Sequence, residues 1–376
     1  MGRDHAADLL DHMSELAESL YERGWASDGL AVIPPTRRLV DSMLDSARAD
    51  SDQLVAVIPP RGGLATLRTI AANAVMAGCR PEYFPVVVAA IRAMNAAPFG
   101  LSQIQATTHT SAPLAIVNGP IRHKLGMNSG AGLFGPGNRA NATIGRAIRL
   151  ILLNVGGGLP VSGDRSTFGH PGKYTFCIAE NEEASPWPAL SATRGFSREE
   201  DVVTLIACEA PRSVADHSSE DGRGILRTIA GSLADKGHNN AYLMGEIVVV
   251  IGLEHAKTLA AEGWSKKDVQ QFLFENARMP VSWLREGGLY GIEVWPKWID
   301  RSDPEQRVPV VDTPDRFIVL VAGGEAGRFS AIMPGWGHLS VSVSAPIDVT
   351  GHLMCRIEGG GQCEPAFVNV AGSSGH

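Results

Sequence analysis

Apolar side chains at Ala6, Leu9, Leu10, Met13, Leu16, Ala17 and Leu20 recur every three to four residues, which predicts an amphipathic helix over 3–23. A repeated phrase follows: Ala31-Val-Ile-Pro-Pro35 leads into a helical run ending near Ala49, and Ala56-Val-Ile-Pro-Pro60 into another from Ala65 to Met76. Each reads as a buried strand, a rigid Pro-Pro exit and a helix, so adjacent parallel strands with helical crossovers are expected. A helix carrying Pro85–Met94 precedes expected strands at Ser102–Thr107 and Pro113–Val117, and the helix Ala142–Asn154 follows a loop made almost wholly of small and polar residues. Further strands are expected at 173–179, Val202–Ala207, Glu246–Ile251, Phe317–Ala322 and Leu339–Ser344, with helices at 223–234, 254–262 and 266–277.

This alternation gives an α/β fold of layered, mostly parallel sheets with helical crossovers, in two packed α/β units. The expected division is an N-terminal helix (1–26), a first unit with glycine- and asparagine-rich loops (27–190), and a second unit ending in strands (191–371). Gly372-Ser-Ser-Gly-His376 (372–376) reads as a tag linker. The length of 376 residues suits one elaborate domain or two, and 42 glycines with 23 prolines add many tight turns.

Charge narrows the partners. Forty acidic residues against 33 basic ones leave a formal charge of −7 without a long basic run, so nucleic acid is not an expected partner. The apolar runs Ile247–Leu253 and Ile148–Val155 fall far short of the roughly 20 residues that span a bilayer, and the N-terminus lacks a signal-peptide pattern. No membrane association is expected, and a cytoplasmic location is. Cys79, Cys177, Cys208, Cys355 and Cys363 are scattered, without CxxC or zinc spacing, and read as reduced thiols. Cys79 at a helix end reads as buried rather than nucleophilic.

Candidate chemistry gathers at expected strand ends. His109, between threonines, and Asn118 nine residues on would point an imidazole and an amide at one spot if two neighbouring strands end there. Asn128-Ser129-Gly-Ala-Gly132 and Gly135-Pro-Gly-Asn-Arg139-Ala-Asn141 leave backbone N–H groups free for an anion, with Arg139 able to grip it. The alternative is a tight structural loop. Glu180, Glu182 and Glu183 follow an apolar strand, so at least one carboxylate turns inward as a base, an ammonium acceptor or a metal ligand, or the charges are solvated at the strand end. His170, His238 and Asn239 are further polar points near strands, Arg61 follows the second Pro-Pro, and Gly323–Gly327 with Pro334–His338 form a lid or turns. No metal-ligand cluster, phosphate loop or GxSxG elbow occurs, and no cofactor and no metal are expected.

Several segments resemble the long proteins of the UGSC-type selenoprotein-related group: Asp28–Thr36, Asn73–Tyr83, Gln105–His109, Ala115–Pro120, Asn141–Arg146, Phe176–Glu183 and Gly263–Asp268. The namesake motif, selenocysteine or cysteine followed by Gly-Ser-Cys, is absent here. The resemblance implies a large subunit of an oligomer that works with a small protein partner. It also implies, through similar two-subunit proteins of secondary metabolism, displacement of sulfate to close an aziridine ring. The expected function is therefore a lyase- or cyclase-type enzyme for a small polar metabolite with an anionic leaving group. Glu180 or His109 would take a proton. Asn118, Asn128, Ser129, Asn141, Glu182, His170, His238, Asn239 and Arg61 would hold substrate, and Arg139 would stabilise the departing anion. A non-catalytic partner of a redox subunit and a metal-dependent hydrolase or lyase are the alternatives.

Overall fold

The computed structural model describes residues 2–25, 27–47, 50–348, 355–356 and 362–363. The chain is an α/β protein in four layers. The first sheet has strand order β14-β13-β12-β5-β3-β4, built from β3 (Ala112–Asn118), β4 (Cys177–Ala179), β5 (Val202–Cys208), β12 (Val343–Pro346), β13 (Cys355–Arg356) and β14 (Gln362–Cys363). The second has order β10-β7-β11-β6, built from β6 (Arg212–Ala215), β7 (Ile247–Ile251), β10 (Phe317–Val321) and β11 (Phe329–Pro334). Ala112, Leu114 and Ile116 of β3, Ile206 of β5 and Ile178 of β4 pack against Val248, Val250, Ile318, Leu320 and Met333, so the two sheets meet face to face.

The outer faces are covered by helices. Ala115, Val117, Val203 and Leu205 pack beneath α3 (Leu67–Ala77), α4 (Phe84–Met94) and α7 (Arg139–Asn154). Ile247, Val249, Phe317 and Val319 pack beneath α9 (Gly222–Leu233), α11 (Leu253–Ala261) and α12 (Lys266–Asn276). A strand covered on both faces must be apolar at every position, whichever way its neighbour runs. That explains why the expectation of mostly parallel sheets fails: of the pairings between strands, only β3–β4 and β7–β10 are parallel, each joined through a helical crossover, and the other strand pairings among the described residues are antiparallel.

Other sequence expectations are also corrected. The first Pro-Pro phrase is extended chain ahead of α2 (Arg37–Ala47), tied to α3 by Ile33 N–H on the Met76 carbonyl (3.2 Å), while the second is β1 (Leu54–Ile58) of an antiparallel hairpin with β2 (Gly63–Thr66). The expected strand at Ser102–Thr107 is the helix α5 (Leu101–Ala106), whose buried Leu101, Ile104 and Gln105 have helical spacing. The expected boundary at 190/191 does not separate the sheets, because β5 and β12 complete the sheet begun by β3 and β4.

The opening helix α1 (Gly2–Glu22) forms as expected. A two-stranded ribbon, β8 (Arg278–Pro280) with β9 (Arg307–Pro309), and the short helices α6 (Ile121–Lys124), α8 (Leu190–Thr193), α10 (Asn240–Leu243) and α13 (Val281–Leu284) complete the elements. No helix among the described residues is long and apolar enough to cross a membrane. The expected tag linker lies outside the described residues.

Candidate functional site

The register of β3 decides where the polar residues go. Ala112 lies opposite Cys208 and Asn118 opposite Val202, so the strand has two chemically separate ends, about 20 Å apart at 3.3 Å per residue. His109 stands just before one end and Asn118 closes the other. The expected meeting of His109 with Asn118 therefore does not occur, because one strand, not two, separates them.

At the His109 end, antiparallel pairing brings Glu209, the residue after β5, alongside. His109 Nε2 lies 2.8 Å from Glu209 Oε1, with side chains 16% and 25% exposed, and His109 Nδ1 is buried without a partner. β4 runs parallel to β3, so the loop ahead of it delivers His170 to the same end. His170 Nδ1 accepts the Gly172 N–H at 3.0 Å, which leaves the proton of the neutral ring on Nε2, an atom with no hydrogen-bond partner. Burial, then the nearby Lys173 ammonium, lowers the His170 pKa to about 4, against the pull of Glu209. The Cys208 carbonyl favours the protonated ring but makes no well-formed hydrogen bond to it.

This depressed basicity has a measurable sign. The His170 ring is expected to stay neutral down to about pH 4 rather than the ordinary 6.5, so an NMR titration of its ring carbons should be flat near pH 6. Because the unfolded ring takes a proton first, the stability it contributes is complete above pH 6.5 and is lost as pH falls towards 4. A midpoint near 6.5 in the folded protein would show that the ring is solvated.

His238 and Asn239 reach the same region from the second sheet's side. His238 Nε2 contacts the Leu233 carbonyl at 2.9 Å, and Asn239 Nδ2 donates to the Trp336 carbonyl at 2.9 Å. The Pro334–His338 segment caps the end of β5: Glu209 N–H donates to Pro334, and Trp336 N–H to Ala207. Gly335 is required there, since a Cβ would sit 2.2 Å from the Glu246 carbonyl oxygen.

A cavity of about 470 Å³ adjoins this end, lined by His170, Lys173, Asp164, Arg149, Ser166 and Tyr174. Asp164 Oδ2 receives both Lys173 Nζ (2.7 Å) and Arg149 Nη2 (2.8 Å), and all three side chains are nearly buried. Asp28 also lines this cavity and is balanced by Arg146 at 2.7 Å, so the two cations around Asp164 leave the wall one positive charge in excess, which suits a small anion. Burial lowers the Lys173 pKa, and Asp164 opposes it.

The Asn118 end is a closed ionic cluster. Asn118 Nδ2 donates to Glu180 Oε2 (2.7 Å) and Glu182 Oε1 (3.0 Å), and Leu190 N–H to Glu180 Oε2 (2.7 Å). Arg122 lies 3.0 Å from Glu182 and forks onto Glu183 at 3.2 and 2.9 Å. Complete burial pushes the Glu180 carboxyl above its ordinary range, with Lys266 opposing, so it tends to the neutral acid. Glu180, Asn118 and Glu182 line none of the cavities described for this chain, and the same holds for His109 and Glu209, so of the two site histidines only His170 is on a cavity wall.

The glycine-rich loop consumes its own polar groups. Asn141 Oδ1 accepts Asn128 N–H and its Nδ2 donates to the Asn128 carbonyl, both at 2.9 Å, while the Ser129 carbonyl accepts Gly323 N–H at 2.9 Å. Exposed Arg139 donates twice to the Gly78 carbonyl, at 3.0 and 2.9 Å, closing the C-terminus of α3. Arg61 lines a different, larger cavity. Cys79, Cys177 and Cys208 are buried free thiols, and burial pushes Cys79 up to about 12; the side chains of Cys355 and Cys363 lie outside the described residues.

The structure thus adds Glu209, Lys173, Asp164 and Arg149 to the site. Glu209 carried a readable signal, a carboxylate directly after the largely apolar strand Val202–Cys208; the other three had none. Among the described residues, no group of three or more His, Cys, Asp or Glu side chains is arranged to hold a metal ion. What the fold and site define is a four-layer α/β protein with a histidine–carboxylate pair beside a cationic cavity. No family model matches the chain, and no curated protein matches it.

Proposed function

We propose that the chain is an enzyme of the lyase or cyclase type, acting on a small polar metabolite that carries an anionic leaving group. The observation that carries this reading is His170 Nε2, buried and unpartnered, on a cavity wall where two cations surround one carboxylate, with the His109–Glu209 pair at the same end of β3. Glu209 holds His109 Nε2–H and so leaves the Nδ1 lone pair to take a proton. His170 Nε2–H orients a substrate acceptor, and Lys173 with Arg149 stabilises charge on the departing group.

For ring closure the balance is direct: a substrate nitrogen forms the C–N bond as the C–O bond to the leaving anion breaks. The bonding pair leaves with the anion, and the N–H proton passes to His109. Sulfate departure with aziridine formation is the case that the sequence resemblance implies, in a large subunit served by a small one. Arg139 and Glu180 have no part in this scheme.

The test is Lys173→Gln, assayed alone and with the small partner. Losing one charged hydrogen bond, about 1.5–3 kcal/mol, is expected to lower kcat/KM about 10- to 100-fold and to weaken inhibition by inorganic sulfate in parallel. Unchanged turnover in a folded variant would remove the cavity from the reaction. Ligand binding without turnover, alone or with the partner, would identify a scaffold instead.

A further inference from the structure

The largest cavity described, about 740 Å³, lies on the helical side of the first sheet and is not the one assigned above. Its walls come from α2, α3, the end of α7 and the chain following α1. Trp25, Val40, Met76, Leu153 and Leu159 make most of the surface apolar, a size and character that match sites for small organic molecules. Three arginines stand around it. Arg37 pairs with Asp41 at 3.7 Å and Arg68 with Asp52 at 3.4 Å, whereas the Arg61 guanidinium has no hydrogen bond or ion pair among the described residues.

Arg61 is exposed, and its backbone is anchored beside the cavity. Its N–H donates to the Gly156 carbonyl at 3.0 Å, and its stem lies across Gly157, where a Cβ would come within 2.3 Å of Arg61 Cδ. Gly157 also has a φ of +70°, a conformation that favours glycine at this seat. The Ser27 hydroxyl, buried and without a partner, is part of the same wall. An arginine seated on glycine, an unpartnered hydroxyl and an apolar floor together describe an incomplete set of contacts.

We propose that this cavity is a second binding site, for an organic anion with an apolar body: the anionic head meets Arg61, and the body lies against Trp25, Met76 and Leu159. The two cavities share Ser27 and Leu153 on their walls, so occupancy here borders the histidine cavity.

The test uses two fluorescent probes of similar shape, anilinonaphthalene sulfonate and uncharged phenylnaphthylamine, titrated into the whole chain. The sulfonate is expected to bind at one saturable site at least about tenfold more tightly than the neutral probe, as one charge-assisted contact implies. Arg61→Gln should bring that ratio to about one and leave the neutral probe's affinity unchanged; Lys173→Gln should leave both probes unchanged. Arg61 is exposed, so the variant should fold, which circular dichroism checks. An unaltered ratio in Arg61→Gln overturns the proposal, as does loss of sulfonate binding in Lys173→Gln alone, which would place the anion in the histidine cavity.

Discussion

Replacing His109 by Ala is expected to lower kcat about 10²- to 10⁴-fold, the usual contribution of a positioned general base, while leaving the folded structure intact. The expectation rests on how the ring is held. Glu209 engages Nε2 at 2.8 Å, which fixes the ring and its tautomer and stabilises the imidazolium once Nδ1 has taken a proton. Glu209→Gln should therefore lose activity too, since an amide neither fixes the tautomer nor offsets the charge. Steady-state rates measured beside thermal unfolding curves check this. A folded His109→Ala protein with an unchanged kcat would exclude the ring from chemistry and leave it a structural tie between β3 and β5.

The second large effect is on stability, at the opposite end of β3. Arg122→Ala is expected to lower unfolding free energy by about 3–5 kcal/mol, because it removes one member of a buried ion pair and leaves Glu182 uncompensated. The Arg122 and Glu182 side chains are only 4% and 5% exposed, so solvent screens this loss little. The Arg122–Glu183 contact adds less, since Glu183 is half exposed. Replacing Arg122 and Glu182 together by apolar residues of similar volume should cost less than either alone. Urea unfolding of the two single variants and the double variant measures this coupling directly; additive losses would mean that the pair acts as two independent side chains.

These two outcomes would separate the residues that the sequence groups together. His109, Asn118, Glu180 and Arg139 all stand near predicted strand or helix ends, and proximity along the chain makes them look like one site. The single strand β3 carries His109 and Asn118 to opposite ends, burial encloses Glu180 in an ionic cluster, and Arg139 closes a helix.

What the sequence determined by itself was local. Three-residue spacing set α1, α9 and α12, apolar runs set β3, β5, β7 and β10, and Asn-Gly-rich composition set the long loop before α7, because backbone geometry and solvent exposure act over a few neighbours. Two facts were decided only in three dimensions. Strand direction was invisible, since burial on both faces erases the alternation that would distinguish one pairing from another. The composition of the site was equally hidden, because His109 meets Glu209 across one hundred residues of chain and Lys173 meets Arg149 through Asp164. Such contacts depend on register and on which ends of strands coincide, and those are settled by packing two sheets against each other rather than by any residue's own preference.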